Sequence, residues 1–478
     1  MNRLAVINVV GLTRSLLGEH TPRLMAFRAR GTLASITPAF PAVTCTAQAN
    51  YLTGKPPAEH GIVGNGWYDR QLAEVHFWKQ SNHLVQAPKL WDELRGRGQS
   101  RDLPNAVTAA NCFWWYNLYS SVDYSLTPRP IYRADGGKIF DIYSWPYSIR
   151  TEIKKDLGEF PFFGFWGPAA GVKTPQGAAD CATRWIAASA KWIETKYAPT
   201  LNLVYLPHLD YNLQRRGPFS TSASGPQINP AIIPDLRAID DIAGDLIDFF
   251  SHRSVGVVLL SEYGITNVHR PVYLNRVFRE AGWLMVKDEL GLEVLDAGAS
   301  RVFAVADHQV AHIYLNDRSL EKVVRERLEK IPGVEQILGH AEKTAAGLTH
   351  SRAGDLIAVA AEDAWFAYYH WLEDARAPDF ARTVDIHRKA GYDPVELFLN
   401  PNIALPQLKI ARRLLQKKLG FRMLMDVIPL DATLVKGSHG RRPMKEGDRP
   451  VLITNMPGLT AARAIDSTEV FQFLRTCF

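Results

Sequence analysis

Apolar and polar positions along the chain follow two alternating rhythms. Leu4–Val10 is a short apolar run interrupted only by Asn8, which suits a strand buried on both faces. A helix-like stretch, Thr21–Arg30, follows it. Leu201–Leu206 is a second apolar run, succeeded by a polar loop and the long amphipathic stretch Ile233–Phe250. Val255–Leu260 ends in Ser-Glu-Tyr-Gly, and Asp355–Ala361 and Val451–Thr454 complete the set. Apolar strands separated by helices predict an α/β fold with a mostly parallel central sheet covered on both sides, a three-layer αβα sandwich. In such sheets the reactive groups sit beyond the carboxyl ends of the strands. The places to search are therefore just after Val10, near Thr44, after Leu206 and after Leu260.

Three segments break this rhythm. Residues from about 113 to 175 are rich in Trp, Tyr, Pro and Gly. Those from about 268 to 348 mix helix and strand signals, and those from about 371 to 431 form a further block. They read as cap insertions on a single domain spanning 1–478. Hydrophobic residues at 46% and charged residues at 22% exclude a disordered or fibrous chain. The formal net charge is +6 over 478 residues, too dilute for a dedicated nucleic-acid protein but compatible with a small anionic substrate. Cys45, Cys112, Cys181 and Cys477 have no paired spacing, which excludes a CxxC metal knuckle and a disulfide framework. No window approaches the ~18 apolar residues of a membrane span, and the N-terminal run reads as a strand rather than a signal segment. The expected location is the cytoplasm.

Chemistry concentrates in a few motifs. Phe40-Pro41-Ala42-Val43-Thr44 leads into a helix of small residues ending near Thr53-Gly54. A Thr there is either a plain helix cap or a hydroxyl among free backbone N–H groups, where phosphate is stabilised. His60-Gly61-Ile62 follows, then Asn65 and Tyr68-Asp69. Later come Asp210-Tyr211-Asn212-Leu213-Gln214 with Gly217-Pro218, then Ser261-Glu262-Tyr263-Gly264, and Gly437-Ser438-His439-Gly440.

In order and spacing these segments resemble the nucleotide pyrophosphatase/phosphodiesterase branch of the alkaline phosphatase superfamily. The resemblance implies an alkaline-phosphatase-like fold and metal-dependent hydrolysis of phosphate esters, most simply a phosphodiesterase or pyrophosphatase reaction through a phosphothreonine intermediate. It implies that Thr44 attacks phosphorus and that Asn65 donates a hydrogen bond to a phosphoryl oxygen. It further implies two zinc ions held by three carboxylates and three imidazoles. Here those positions carry Val10, Asp210, Gln214, Glu262, Tyr263 and His439, with Asn8 two residues before Val10 on the same strand face. Asp210, Glu262 and His439, with Gln214, are the expected metal ligands. So oxygen-rich a set suits Mg²⁺ or Mn²⁺ better than Zn²⁺, as one ion or two held loosely.

Other residues offer a rebuilt site. His308 and His312 share a face if their segment is a helix and do not pair simply if Gln309–Leu315 is a strand. Asp385-Ile386-His387, with Arg388, Lys389 and Asp393 nearby, is a second acidic–imidazole group. Each is otherwise a hydrogen-bonded polar cluster in a cap loop. The aromatic runs Phe113–Tyr116 and Trp365–Trp371 read as packing, with one or two rings available to stack on a leaving group. The expected partner is a small phosphate- or phosphonate-containing substrate. Two alternatives remain: a phosphate-ligand binding protein that has lost catalysis, and a transferase passing the phosphoryl group to an alcohol.

Overall fold

The computed structural model describes residues 2–96, 107–134, 137–174, 177–222, 225–460 and 464–478; residues 135, 136 and 175 of the first expected insertion lie outside this set. The strands used below are β1 (Leu4–Val9), β2 (Thr32–Thr37), β3 (Ala109–Cys112), β4 (Tyr124–Pro128), β5 (Ile142–Trp145), β6 (Leu201–Leu206), β7 (Gly256–Leu260), β8 (Val302–Asp307), β9 (Val310–Leu315), β10 (Val334–Leu338), β11 (Leu356–Ala360), β12 (Val451–Thr454) and β13 (Ile465–Asp466). The helices are α1 (Pro22–Ala29), α2 (Thr44–Thr53), α3 (Cys181–Tyr197), α4 (His208–Arg216), α5 (Ile233–His252), α6 (Pro406–Lys418) and α7 (Glu469–Thr476).

Nine strands form the central sheet in the order β13-β2-β12-β7-β1-β6-β3-β4-β5. β1 lies at its middle, parallel to β6 and to β7. All six of its side chains are buried, which is why its sequence is a nearly continuous apolar run rather than an alternating one. β12 runs antiparallel to both β7 and β2, and β5 is antiparallel to β4. α1 and α3 pack against α5, while α2 packs against α7, so helices cover both faces of the sheet. The expected three-layer sandwich is what the chain forms.

A second, four-stranded antiparallel sheet has the order β8-β9-β11-β10 and carries its own apolar core. The run at Asp355–Ala361, counted above among the central strands, is β11 of this second sheet. Its continuous apolar character reflects burial on both faces, a property that does not say to which sheet a strand belongs. The turn joining β8 to β9 consists of His308 and Gln309, with His308 in the left-handed region at φ +62. A non-glycine residue held there sits where strain collects at functional sites.

Candidate active site

Four chain segments meet at the carboxyl end of the central strands. Val43, extended at φ −132 and ψ 158, precedes α2, and Thr44 is the helix's first residue. The first amides of a helix have no intrahelical acceptor. The Cys45 N–H is met by Asn65 Oδ1 at 3.0 Å. Asn65 is itself fixed from the second sheet: its backbone N–H and its Nδ2 donate to the Asp307 carboxylate at 2.8 and 3.0 Å. Gly64 permits this approach, because a Cβ there would meet Asp307 Oδ2 at 3.1 Å.

The Thr44 hydroxyl lies 3.3 Å from the Tyr263 hydroxyl. Glu262 is fully buried. Its Oε1 accepts from Asn8 Nδ2 at 2.5 Å and from Gln48 Nε2 at 2.6 Å, while its Oε2 is buried without a hydrogen-bond partner among the described residues. The parallel register explains the first contact, since Asn8 sits opposite Leu260 and β7 ends two residues before Glu262. Helical spacing explains the second, since Gln48 is one turn beyond Thr44. Burial pushes the Glu262 carboxyl up to about 8, against hydrogen bonds from Gln48 and Asn8.

Asp210, in the first turn of α4, takes a hydrogen bond on Oδ2 from Gln214 Nε2 at 2.6 Å. It takes another on Oδ1 from the Tyr263 hydroxyl at 3.1 Å. The Tyr392 hydroxyl in turn donates to Gln214 Oε1 at 3.0 Å. The same tyrosines end a stack of four rings. Tyr263 lies on His439 with centroids 3.6 Å apart, His439 beside His308 at 3.7 Å, and His308 on Tyr392 at 3.6 Å. Hydrogen bonds and rings thus close a circuit around Asp210. His439 Nδ1 donates to the Ala42 carbonyl at 2.8 Å, which ties the late loop to the one carrying Thr44. Its Nε2 and that of His308 are buried without a hydrogen-bond partner among the described residues. Burial raises Asp210 to about 7 and Asp307 to about 6, and drives both imidazoles well below their ordinary value.

A pair of metal ions does not fit this donor set. Among the described residues no group of three or more His, Cys, Asp or Glu side chains is arranged to hold an ion. Val10 is fully buried in the main apolar core, so the third carboxylate position is hydrocarbon. Gln214 and Tyr263 turn their polar atoms onto Asp210 and occupy both of its oxygens. Asp210 and His439 remain neighbours, with 4.0 Å between Oδ1 and Nε2.

Thr44, Asn65, Asp210, Gln214, Glu262, Asn8, His308 and His439 therefore come together. Asp385 and His387 do not join them: His387 Nδ1 donates to the Phe77 carbonyl at 3.1 Å, the Asp385 backbone N–H donates to Glu396, and Arg388 pairs with Asp379. His312 is on β9 and not on a helix, and its Nε2 donates to the Val63 carbonyl at 3.0 Å. Sequence reasoning passed over Gln48, Asp307 and Tyr392. Gln48 carried a signal, its spacing of four from Thr44, and Asp307 stood beside His308. Tyr392 carried none, because only the tertiary fold brings it to Gln214.

Comparison with known proteins accords with this architecture. A curated relative, an uncharacterized pyrophosphatase/phosphodiesterase of Schizosaccharomyces pombe, is 24% identical over 267 residues, 54% of this chain. The chain spans 44% of that relative's length. Murine ectonucleotide pyrophosphatase/phosphodiesterase 5, solved in an inactive form with AMP, superimposes with a TM-score of 0.58 at 14% identity, covering 100% of this chain and 95% of that one. Phosphonoacetate hydrolase of Sinorhizobium meliloti, solved with phosphonoformate, gives 0.58 at 15% identity with the same coverage. The sequence model for type I phosphodiesterases and nucleotide pyrophosphatases matches residues 4–393, and the chain belongs to that family.

Proposed function

We propose that the chain cleaves a phosphate ester by attack of the Thr44 hydroxyl on phosphorus, with Glu262 as proton acceptor. One observation carries this reading: the hydroxyl sits at the N-terminus of a buried helix, on the Tyr263 hydroxyl, and Gln48 one turn along the same helix holds the buried carboxyl of Glu262. With its carboxyl raised to about 8, Glu262 is largely protonated at neutral pH and is a strong base once ionised, so this reading expects turnover to rise as pH climbs toward that value. The ionised Glu262 takes the proton as the Thr44 O–P bond forms and the ester P–O bond breaks; the departing alkoxide takes a proton from water and leaves as the alcohol, and loss of the Glu262 proton to solvent restores the carboxylate. Water, deprotonated by the restored carboxylate, then attacks phosphorus; the Thr44 O–P bond breaks, the proton passes from Glu262 to the Thr44 oxygen, and the phosphomonoester is released. The helix amides and the Asn65 amide supply the dipoles that favour charge on the nonbridging oxygens. No step is assigned to an ion. AMP and phosphonoformate in the similar structures support a small phosphorus oxyanion as the recognised group.

The test is turnover of aryl phosphodiesters and phosphonate esters by wild type and Thr44→Ala. Full activity in purified Thr44→Ala removes the assignment. The circuit Tyr263–Asp210–Gln214–Tyr392 favours a second reading, a protein that binds phosphorus oxyanions without turning them over. Saturable binding of AMP with no product from any ester supports that reading instead.

A further inference from the structure

Helix α6 presents to solvent the side that a soluble helix ordinarily buries. From Leu405 to Leu424 the sequence Leu-Pro-Gln-Leu-Lys-Ile-Ala-Arg-Arg-Leu-Leu-Gln-Lys-Lys-Leu-Gly-Phe-Arg-Met-Leu contains six cations and no acid. No residue of α6 is buried. Leu405, Leu408, Leu414, Leu415, Leu419 and Phe421 are each between 52% and 65% exposed. At 3.6 residues per turn, Leu405, Leu408, Leu415 and Leu419 fall within about 80° of one another, a continuous outward stripe.

The opposite side faces the protein. Ile410 packs on the second core, and Lys409 and Arg413 both pair with Asp426 at 2.8 and 2.9 Å. Those pairs fix how the helix is turned. Lys418 flanks the leucine stripe and Arg412 falls within it, between Leu419 and Leu405; with Arg422 they have no ion-pair partner among the described residues. The patch continues beyond the helix. Lys417 Nζ reaches the Lys138 carbonyl at 3.5 Å, on a small hairpin whose Tyr132, Ile139 and Phe140 are also exposed.

We propose that this face docks on the surface of a membrane containing anionic lipid, with α6 lying in the interface plane. Leucines and aromatic rings would enter the headgroup boundary while the flanking cations meet lipid phosphates and carboxylates, the arrangement of an interfacial helix. Charge selects this occupant. A second copy of a chain of net charge +6 would bring more positive charge to a face that already lacks acids, whereas an anionic bilayer offers both hydrocarbon and the opposite sign. A nucleic acid would meet the cations and leave the leucine stripe in water. No described helix is long and apolar enough to cross a membrane, so the contact is peripheral. It is independent of the chemistry at Thr44.

The test is cosedimentation of the full chain with phosphatidylcholine vesicles with and without phosphatidylserine, at low and raised salt. Wild type is expected to pellet with the anionic vesicles, several-fold less with the neutral ones, and less as salt rises. The paired change Leu415→Glu and Leu419→Glu should lower partitioning roughly tenfold or more. Arg412→Glu with Lys418→Glu should remove the preference for anionic lipid. All four positions are exposed, so an unchanged melting temperature separates lost docking from lost folding. Equal pelleting of wild type and the leucine variant, or none with anionic vesicles, overturns the proposal. So does a vesicle-independent dimer that the leucine variant dissolves, which would assign the face to a second copy.

Discussion

The two halves of the site have departed from the family pattern to different degrees. Around Thr44 the helix start, the Asn65 contact to the Cys45 amide and the loop glycine at Gly64 form one coherent set. Around Asp210 the residues that the resemblance assigns to metal have become a self-satisfied hydrogen-bond circuit, with Tyr263 and Gln214 spending their donors on the one aspartate. The contrast separates two requirements that the family pattern joins. A hydroxyl can stay poised at a helix N-terminus while the groups expected to activate it change identity. Glu262 links the halves, since it is held by Gln48 of the Thr44 helix on one side and by Asn8 from the central strand on the other.

The comparison is broken most severely at the nucleophile. Thr44→Ala should lower phosphodiester turnover roughly 10³-fold or more, with AMP binding retained, as read by steady-state kinetics and calorimetry. Glu262→Gln keeps the shape and removes the base. A loss of roughly 10²-fold in kcat, with little change in KM, would separate it from a merely structural residue. A silent Glu262→Gln would return the activation of Thr44 to some other group.

On the metal side, Val10→Asp restores a carboxylate at the cost of burying it. With hydrocarbon around it, the change should destabilise the fold by about 3–5 kcal/mol, seen as a fall in the urea midpoint. Zinc or manganese should not reverse the fall, because Gln214 and Tyr263 still cap Asp210. Reversal by either ion would show a dormant metal site. Tyr392→Phe removes only the donor to Gln214 Oε1 and should cost about 1 kcal/mol, a small shift in the same midpoint with turnover unchanged.

The pH dependence of stability joins both halves. Glu262, Asp210 and Asp307 are raised by burial to about 8, 7 and 6. Each keeps its proton in the folded chain over a range where the unfolded chain has lost it. The folded state therefore binds more protons, and stability falls as pH rises from the ordinary carboxylate range near about 4 through about 8. Glu262→Gln should flatten the upper part of that fall in melting-temperature scans.

Much of this was readable from the residues, and the remainder was not for definable reasons. β1, β6, β7 and β12 follow from apolar runs, and α5 from its helical periodicity, because each pattern is a direct record of burial. Thr44, Asn65, Asp210 and His439 stand in motifs whose spacing is fixed by short local structures. The placement of Leu356–Ala360 in a second sheet was hidden, since burial on both faces looks alike in either sheet. Tyr392 and Asp307 reach the site through contacts spanning 178 and 242 residues of sequence, a separation at which local pattern carries no information. The outward leucines of α6 were invisible for a related reason: amphipathic spacing shows that a helix has an apolar side but not which way that side is turned.

The most direct test is phosphodiester turnover by protein stripped with a chelator and assayed with the chelator still present. With Glu262 as the base, the stripped wild type should retain its rate and Glu262→Gln should lose it. Activity that vanishes on stripping and returns in full with a divalent ion would contradict this account.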